Sequence, residues 1–164
     1  MSNVRPPSQN RGMSSQRIRP LAICVFRNDG RILVTEAHDP VKHQTFCRPL
    51  GGGIEFGETS AQAVAREVRE EINAEVANLR LIGTLESIFT YLGAPGHEIV
   101  QVYDGEFADE SLYGLASIPG AESDGQAFRA IWRELESFSN ELPLFPEGLL
   151  ELLNSEPVRL AAKA

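Results

Sequence analysis

Cysteine is nearly missing from this chain: Cys24 and Cys47 are the only two in 164 residues, too few for a disulfide framework. Cys24 stands inside an apolar run and reads as a small core residue. No apolar stretch approaches the length of a bilayer-spanning helix, and the N-terminus lacks the apolar centre of a secretory signal. The cytoplasm is the compartment this implies. Basic residues are in deficit, 15 Lys and Arg against 23 Asp and Glu, for a formal net charge of -8. That balance argues against a broad basic surface for long nucleic acid. Small phosphate-bearing substrates stay open, because a bound metal ion supplies positive charge where it is needed. No internal repeat is present.

The length suits one domain with one core. Residues 1–17 are polar, with almost nothing to bury, and read as a disordered tail; 18–156 form the expected single domain, and 157–164 a loose C-terminal tail.

What the chain has in abundance is glycine and glutamate in one place: Gly51-Gly52-Gly53, then Glu58, then Arg66-Glu67-Val68-Arg69-Glu70-Glu71-Ile72-Asn73. Thr59 and Gln62 have the spacing of a capping box, which predicts a helix starting there. Ala61, Val64, Ala65, Val68 and Ile72 recur at helical spacing and are its expected buried stripe. Asn73 tolerates the left-handed conformation in which helices end. On that helix Glu67 and Glu71 are one turn apart with Glu70 beside them, so three carboxylates share a side. Their mutual repulsion, about 0.2–0.5 kcal/mol per pair, calls for something to offset it. A hard divalent cation does this, and so, more simply, do Arg66 and Arg69 on a solvated face.

The fixed spacing of the whole pattern chooses between them. It resembles the Nudix box, with Gly52, Glu58, Arg66, Glu67, Val68, Glu70 and Glu71 in register from Gly52 to Ala74. The departures are Asn73 where that family has Gly, and Ala74 where it has a larger aliphatic residue. The resemblance implies an α/β fold, a Nudix-like α/β/α sandwich with a central mixed sheet. It implies Mg²⁺ or Mn²⁺ on Glu67, Glu70, Glu71 and the main-chain carbonyl of Gly52. Glu58 and Arg66 would brace loop to helix behind those ligands, because a planar guanidinium holds a carboxylate at two points. The general base is expected to be Glu67 or Glu98, with Glu122 a weaker candidate.

Along the chain, Leu21 to Phe26 and Arg31 to Glu36 flank the turn Asn28-Asp29-Gly30 and are expected to pair as a hairpin. Ala37 to Pro49 reads as a polar connection whose His38 and His43 lack the partners of a zinc site. Arg48 falls at the site entrance, suited to a phosphate or a base and equally to the place of an ordinary surface arginine. Leu79 to Phe89 and Glu98 to Phe107 predict a long hairpin across a turn at Tyr91 to His97. Tyr91 lies where some Nudix branches contact a nucleoside polyphosphate. Residues 108–126 read as a surface excursion. Ala127 to Trp132 predicts a last strand, Arg133 to Phe138 a turn of helix, and Pro146 to Leu153 a short amphipathic helix.

The reaction implied is metal-dependent hydrolysis of the pyrophosphate bond in a nucleoside diphosphate linked to another moiety. The alternative is a non-catalytic Nudix-like module that binds a nucleotide and regulates something else. The expected partner is a small phosphoanhydride, with no long nucleic acid, no membrane, and pairing into a homodimer as many family members do.

Overall fold

The computed structural model describes residues 16–156, so the tails expected at 1–17 and 157–164 lie outside the described residues, save Gln16 and Arg17. In chain order the elements are β1 (Arg19–Asn28), β2 (Arg31–Asp39), β3 (Gln44–Arg48), β4 (Leu50–Gly53), α1 (Ser60–Ile72), β5 (Val76–Tyr91), β6 (Ala94–Phe107), β7 (Ser117–Ala121), β8 (Ala127–Glu134) and α2 (Leu149–Ser155). Short 3-10 turns occupy Glu110–Gly114 and Leu135–Ser137. The strands run β5-β6-β1-β2-β8-β7 across one mixed sheet, with β3 added to β2 and β4 to β1. No helix of the described residues is long and apolar enough to cross a membrane.

The apolar run at Leu21 to Phe26 explains the layering. Side chains on a strand alternate between faces, and here both faces are covered. Ala22, Cys24 and Phe26 pack on one side with Ala63, Val64, Val68 and Ile72 of α1. Ile23 and Val25 pack on the other with Val100, Val102, Leu149 and Leu153 of β6 and α2. Full burial of such side chains contributes roughly 1.5–3 kcal/mol each. A strand buried on both faces reads as a continuous run instead of an alternation.

Four expectations are corrected. The β1–β2 hairpin closes at its turn with Arg27 opposite Ile32 and Asn28 opposite Arg31, but the strands then part. β1 turns to β4 and to β6, while β2 turns to β3 and β8. The expected connection at 37–49 is therefore largely strand: β2 runs on to Asp39 and pairs with β3, Ala37 opposite Phe46. The polar residues His38, Asp39, Gln44 and Thr45 along this short hairpin hide it.

Likewise the turn expected over Tyr91–His97 is only Leu92-Gly93, both with positive φ (52° and 77°), and Tyr91 pairs directly with Ala94. Pro95 is tolerated because β1 reaches β6 only from Glu98 onward, leaving this end a two-stranded ribbon. The stretch 108–126 is no mere excursion. It contains β7, whose buried Ile118 joins the α1 core, and Leu112 and Tyr113 pack against that core.

Candidate functional site

Helix α1 is built locally, as its sequence suggests. The Thr59 side chain accepts from the Gln62 amide, and Gln62 Oε1 accepts from the Thr59 amide at 2.8 Å, completing the capping box. At the other end Asn73 is left-handed (φ 54°, ψ 41°) and its N–H donates to the Arg69 carbonyl. Ser60 and Tyr103 share a 2.6 Å hydrogen bond that ties the first turn to β6. The buried stripe differs from the expected one: Ala63, Val64, Val68, Glu71 and Ile72 are buried, while Ala61 and Ala65 are half-buried. The helix lies across β4 and β7 as well as β1, which rotates the contact line and carries Glu71 inside.

The glycine loop is held against β1 in a geometry that excludes side chains. Gly51 has φ +136°, and a Cβ there would run into the Ala22 carbonyl oxygen and backbone of Ile23, so only glycine fits. At Gly52 a Cβ would meet the Glu67 carboxyl at 2.6–2.7 Å: the carboxylate lies directly on the loop's bare face.

Arg66 joins loop to helix, as the residue types suggest. Its Nε and Nη2 donate to the two oxygens of Glu58 at 3.2 and 2.7 Å, and Nη2 also donates to the Gly53 carbonyl at 2.9 Å. Glu58 in turn accepts from the Glu55 amide at 2.8 Å. The Arg66 bonds, helped by that amide, hold the Glu58 carboxyl below its usual range. Arg66 Nη1 reaches further, to Glu67 Oε1 at 2.9 Å and Glu70 Oε2 at 3.2 Å.

Glu67, Glu70 and Glu71 line one small notch of about 220 Å³ together with Gly51, Gly52 and Glu122. They are not alike within it. Glu71 is 9 % exposed and accepts from the Gly51 amide at 3.3 Å. Burial, followed by the charges of Glu122 and Glu67, pushes its carboxyl up to about 8, against the pull of that amide and of Arg48. Glu67 and Glu70 instead share Arg66. Among the described residues no three His, Cys, Asp or Glu side chains converge as an ion-holding cluster; the guanidinium draws two of these carboxylates to itself.

The notch opens into a larger cleft of about 960 Å³, formed where β1 and β2 diverge. Arg19, Arg48, Gly51 and Glu122 line both. Arg48 pairs with Glu122 at 3.0 Å across the junction. Glu98 lines the cleft and not the notch; it pairs with Arg19 at 3.4 Å and is 15 % exposed. Burial raises its carboxyl, opposed by Arg19 and Arg48. Tyr91 lies at the cleft's other end, edge-on to Phe46. His38 bonds Thr45 across β2 and β3 with its ring exposed, and no metal cluster surrounds it.

Phe46, Asp39 and Phe145, which no sequence pattern marks, also line the cleft. Glu122, the weaker candidate in sequence, is brought to the notch by the β7–β8 connection. Strand pairing of 117–121 with 127–131 was the missing signal.

The comparisons with known proteins agree on a family. A profile described as "NUDIX domain" matches residues 16–152. The NAD-capped RNA hydrolase NudC of Vibrio atlanticus (strain LGP32) is 41 % identical over 122 residues, which are 70 % of this chain and 44 % of that protein. The NAD-capped RNA hydrolase NudC of Pseudomonas aeruginosa (strain LESB58) is 34 % identical over 110 residues, 63 % of this chain and 38 % of its own. The chain thus spans less than half the length of these curated relatives. Among solved structures, a MutT NUDIX hydrolase from Burkholderia pseudomallei superposes with a TM-score of 0.60 at 20 % identity, covering 86 % of this chain and 100 % of its own. A NUDIX hydrolase from Nitrosomonas europaea gives 0.51 at 19 % identity, covering 73 % and 74 %. At such identities the two structures speak for the fold.

Proposed function

This chain belongs to the Nudix family, and from that premise we propose that it is a Nudix-type pyrophosphohydrolase, a metal-dependent hydrolase of nucleoside diphosphates linked to another moiety. The observation that carries the reading is Glu71, buried beside Glu67 and Glu70 in a notch that opens on a cleft large enough for the rest of a nucleotide. A buried carboxyl without a cationic side chain in contact holds its proton until a cation arrives to balance the charge, and the oxygen-only donors around it suit a hard divalent ion.

Phosphoric anhydrides repel hydroxide, so their cleavage needs charge neutralisation and an oriented nucleophile. Glu67, Glu70, Glu71 and the Gly52 carbonyl are the proposed ligands of Mg²⁺ or Mn²⁺, which when bound neutralises phosphate oxygens and acidifies a water. Arg66 keeps Glu58 and the glycine loop seated on α1, and so sets where Glu67 stands. Arg48 leaves Glu122 to meet a phosphate, and Tyr91 lies against the nucleoside. Glu67 or Glu98 takes the proton of the attacking water. On this reading residues 18–156 act as one domain, in the cytoplasm. The relatives named as NAD-capped RNA hydrolases bring a dinucleotide, free or at the end of an RNA, into the substrate class.

A chromatographic screen for the phosphomonoester and pyrophosphate products, with Mg²⁺ and Mn²⁺, tests this, run over ADP-ribose, dinucleoside polyphosphates, nucleotide sugars, NADH, capped RNA and nucleoside triphosphates. The expected outcome is turnover of at least one diphosphate-linked substrate, abolished in Glu71→Gln. One observation favours a non-catalytic binding module: Arg66 occupies both Glu67 and Glu70. That module becomes the better reading if no substrate turns over while a nucleotide still raises the Tm.

A further inference from the structure

Two strand pairs border the cleft and outrun the rest of the sheet. β2 pairs with β8 as far as Val34, opposite Ile131, and from Thr35 to Asp39 its partner is β3. β1 joins β6 only from Glu98, opposite Arg19, so the pairs from Ile88–His97 to Tyr91–Ala94 stand as a two-stranded arm. Both pairs line the cleft, through Ala37 and Phe46 on one and Phe89 and Tyr91 on the other.

The two are anchored unequally. β3 is backed by the segment before α2: the Cys47 amide donates to the Pro143 carbonyl at 2.9 Å, and the Phe145 amide to the Cys47 carbonyl at 2.8 Å. The β5–β6 arm has no such support among the described residues, and a lone two-stranded ribbon is marginally stable. It is stiff inside, however. Leu92-Gly93 closes it with the two positive φ values, 52° and 77°, of a tight hairpin turn, and Phe89 lies over Gly96, where a Cβ would run into its ring. A stiff arm of this kind pivots at its root, the Ser87–Glu98 pair.

Asp39 holds the tip. Its carboxylate is 2 % exposed. One oxygen accepts from the Val41 and Lys42 amides at 2.9 and 3.2 Å, inside its own hairpin, and the other accepts from the Leu92 amide at 3.2 Å. Phe46 and Tyr91 also meet edge-on, but among the described residues no second hydrogen bond or ion pair joins the two hairpins. The Leu92 side chain is exposed, so its packing does not account for a left-handed backbone that bulky residues rarely adopt.

We propose that the β5–β6 arm is a movable wall of the cleft and that the Leu92–Asp39 hydrogen bond is its clasp, so that substrate enters and product leaves when this bond opens. The passage of substrate rests on the hydrolase reading; the arm and its clasp do not.

Asp39→Asn breaks the clasp selectively: its oxygen still serves the Val41 and Lys42 amides, while its NH₂ turns a donor toward the Leu92 donor. Hydrogen–deuterium exchange on the full chain in EDTA should show the amides of 88–97 exchanging about tenfold faster or more, the strength of a hydrogen bond to a charged group, with 76–87 and 98–107 unchanged. Asp39→Ser serves the turn but is too short to reach Leu92, and is read instead if Asp39→Asn melts early. Leu92→Gly keeps the amide and relieves the backbone, so its arm should exchange no faster than the wild type. With Mg²⁺ and ADP-ribose, Asp39→Asn should raise KM about tenfold and leave kcat undiminished, since an open arm weakens the closed complex and frees product. Faster exchange spread evenly over β5 and β6, unchanged exchange, or an arm opened by Leu92→Gly overturns the clasp. An unchanged KM, or a kcat that falls with it, overturns the gate. Selective exchange in a protein that hydrolyses no anhydride supports the clasp and overturns the hydrolase reading.

Discussion

The Gly51 amide points at Glu71 across 3.3 Å and is the hydrogen bond that the glycine loop gives the most buried carboxylate of α1. One amide does not balance that burial. The folded protein keeps the Glu71 proton up to about 8, whereas the unfolded chain releases it near 4.5. Unfolding in that window sheds a proton, so the stability from this group is fully present below about 4.5 and is lost as pH rises to about 8. In EDTA, thermal melts should therefore show Tm falling across this range for the wild type and staying nearly level for Glu71→Gln. Mg²⁺ should restore the wild-type Tm at the alkaline end and leave the variant unmoved, and Glu71→Gln should lower turnover by orders of magnitude.

Neighbouring glycines should respond in opposite ways to the same substitution. Gly51→Ala forces a side chain into the backbone of β1 at φ +136°, so the expected result is insolubility or a Tm lower by many degrees. Gly52→Ala meets only the far end of Glu67, which can swing aside. That variant should melt close to the wild type yet lose most of its turnover and Mg²⁺ affinity, measured by activity and by Tm shift with the ion. Equal melting of the two variants would contradict the packing described.

Arg66→Lys separates charge from shape. Lysine keeps the charge but cannot hold Glu58 at two points and reach Gly53 as well. A loss of about 1.5–3 kcal/mol in urea unfolding is expected, the range for hydrogen bonds to charged groups. A drop in kcat larger than the change in KM should accompany it, because Glu67 moves with the brace.

Much of this was legible in the sequence, and what was legible was local. Thr59 and Gln62 are three residues apart, Asn73 ends its own helix, and the spacing from Glu58 to Arg66 is short enough to read as a brace. The apolar run of β1 announced a strand. The burial of Glu71 was not legible, since it depends on how α1 lies across β4 and β7. Nor was the grouping of Phe46, Tyr91 and Phe145, each of which is an ordinary aromatic in its own segment. Strand β3 is hard to read because it is only five residues long and opens on Gln44-Thr45, so period and hydrophobicity are both weak there.

Glu98 and Arg19 give the pH dependence of the reaction a test. Burial raises Glu98, and Arg19 is the first group opposing that rise. If Glu98 takes the proton of the attacking water, Arg19→Ala should move the acidic limb of the kcat/KM profile to higher pH, and Glu98→Gln should remove the limb. Profiles unchanged in both variants would assign the proton to Glu67.

β1 lies parallel to β6, Arg19 opposite Glu98 and Phe26 opposite Gly105, whereas the other strand pairs are antiparallel. Those partners are about 80 residues apart in the chain, while β2–β3, β5–β6 and β7–β8 join sequence neighbours. Closing so long a span costs chain entropy before any contact offsets it. The hairpins are therefore expected to form early and β1 to dock late. The Arg19–Glu98 pair and the seat of the glycine loop both wait on that docking, so a refolding chain regains its helical signal before it regains any competence to bind an anhydride.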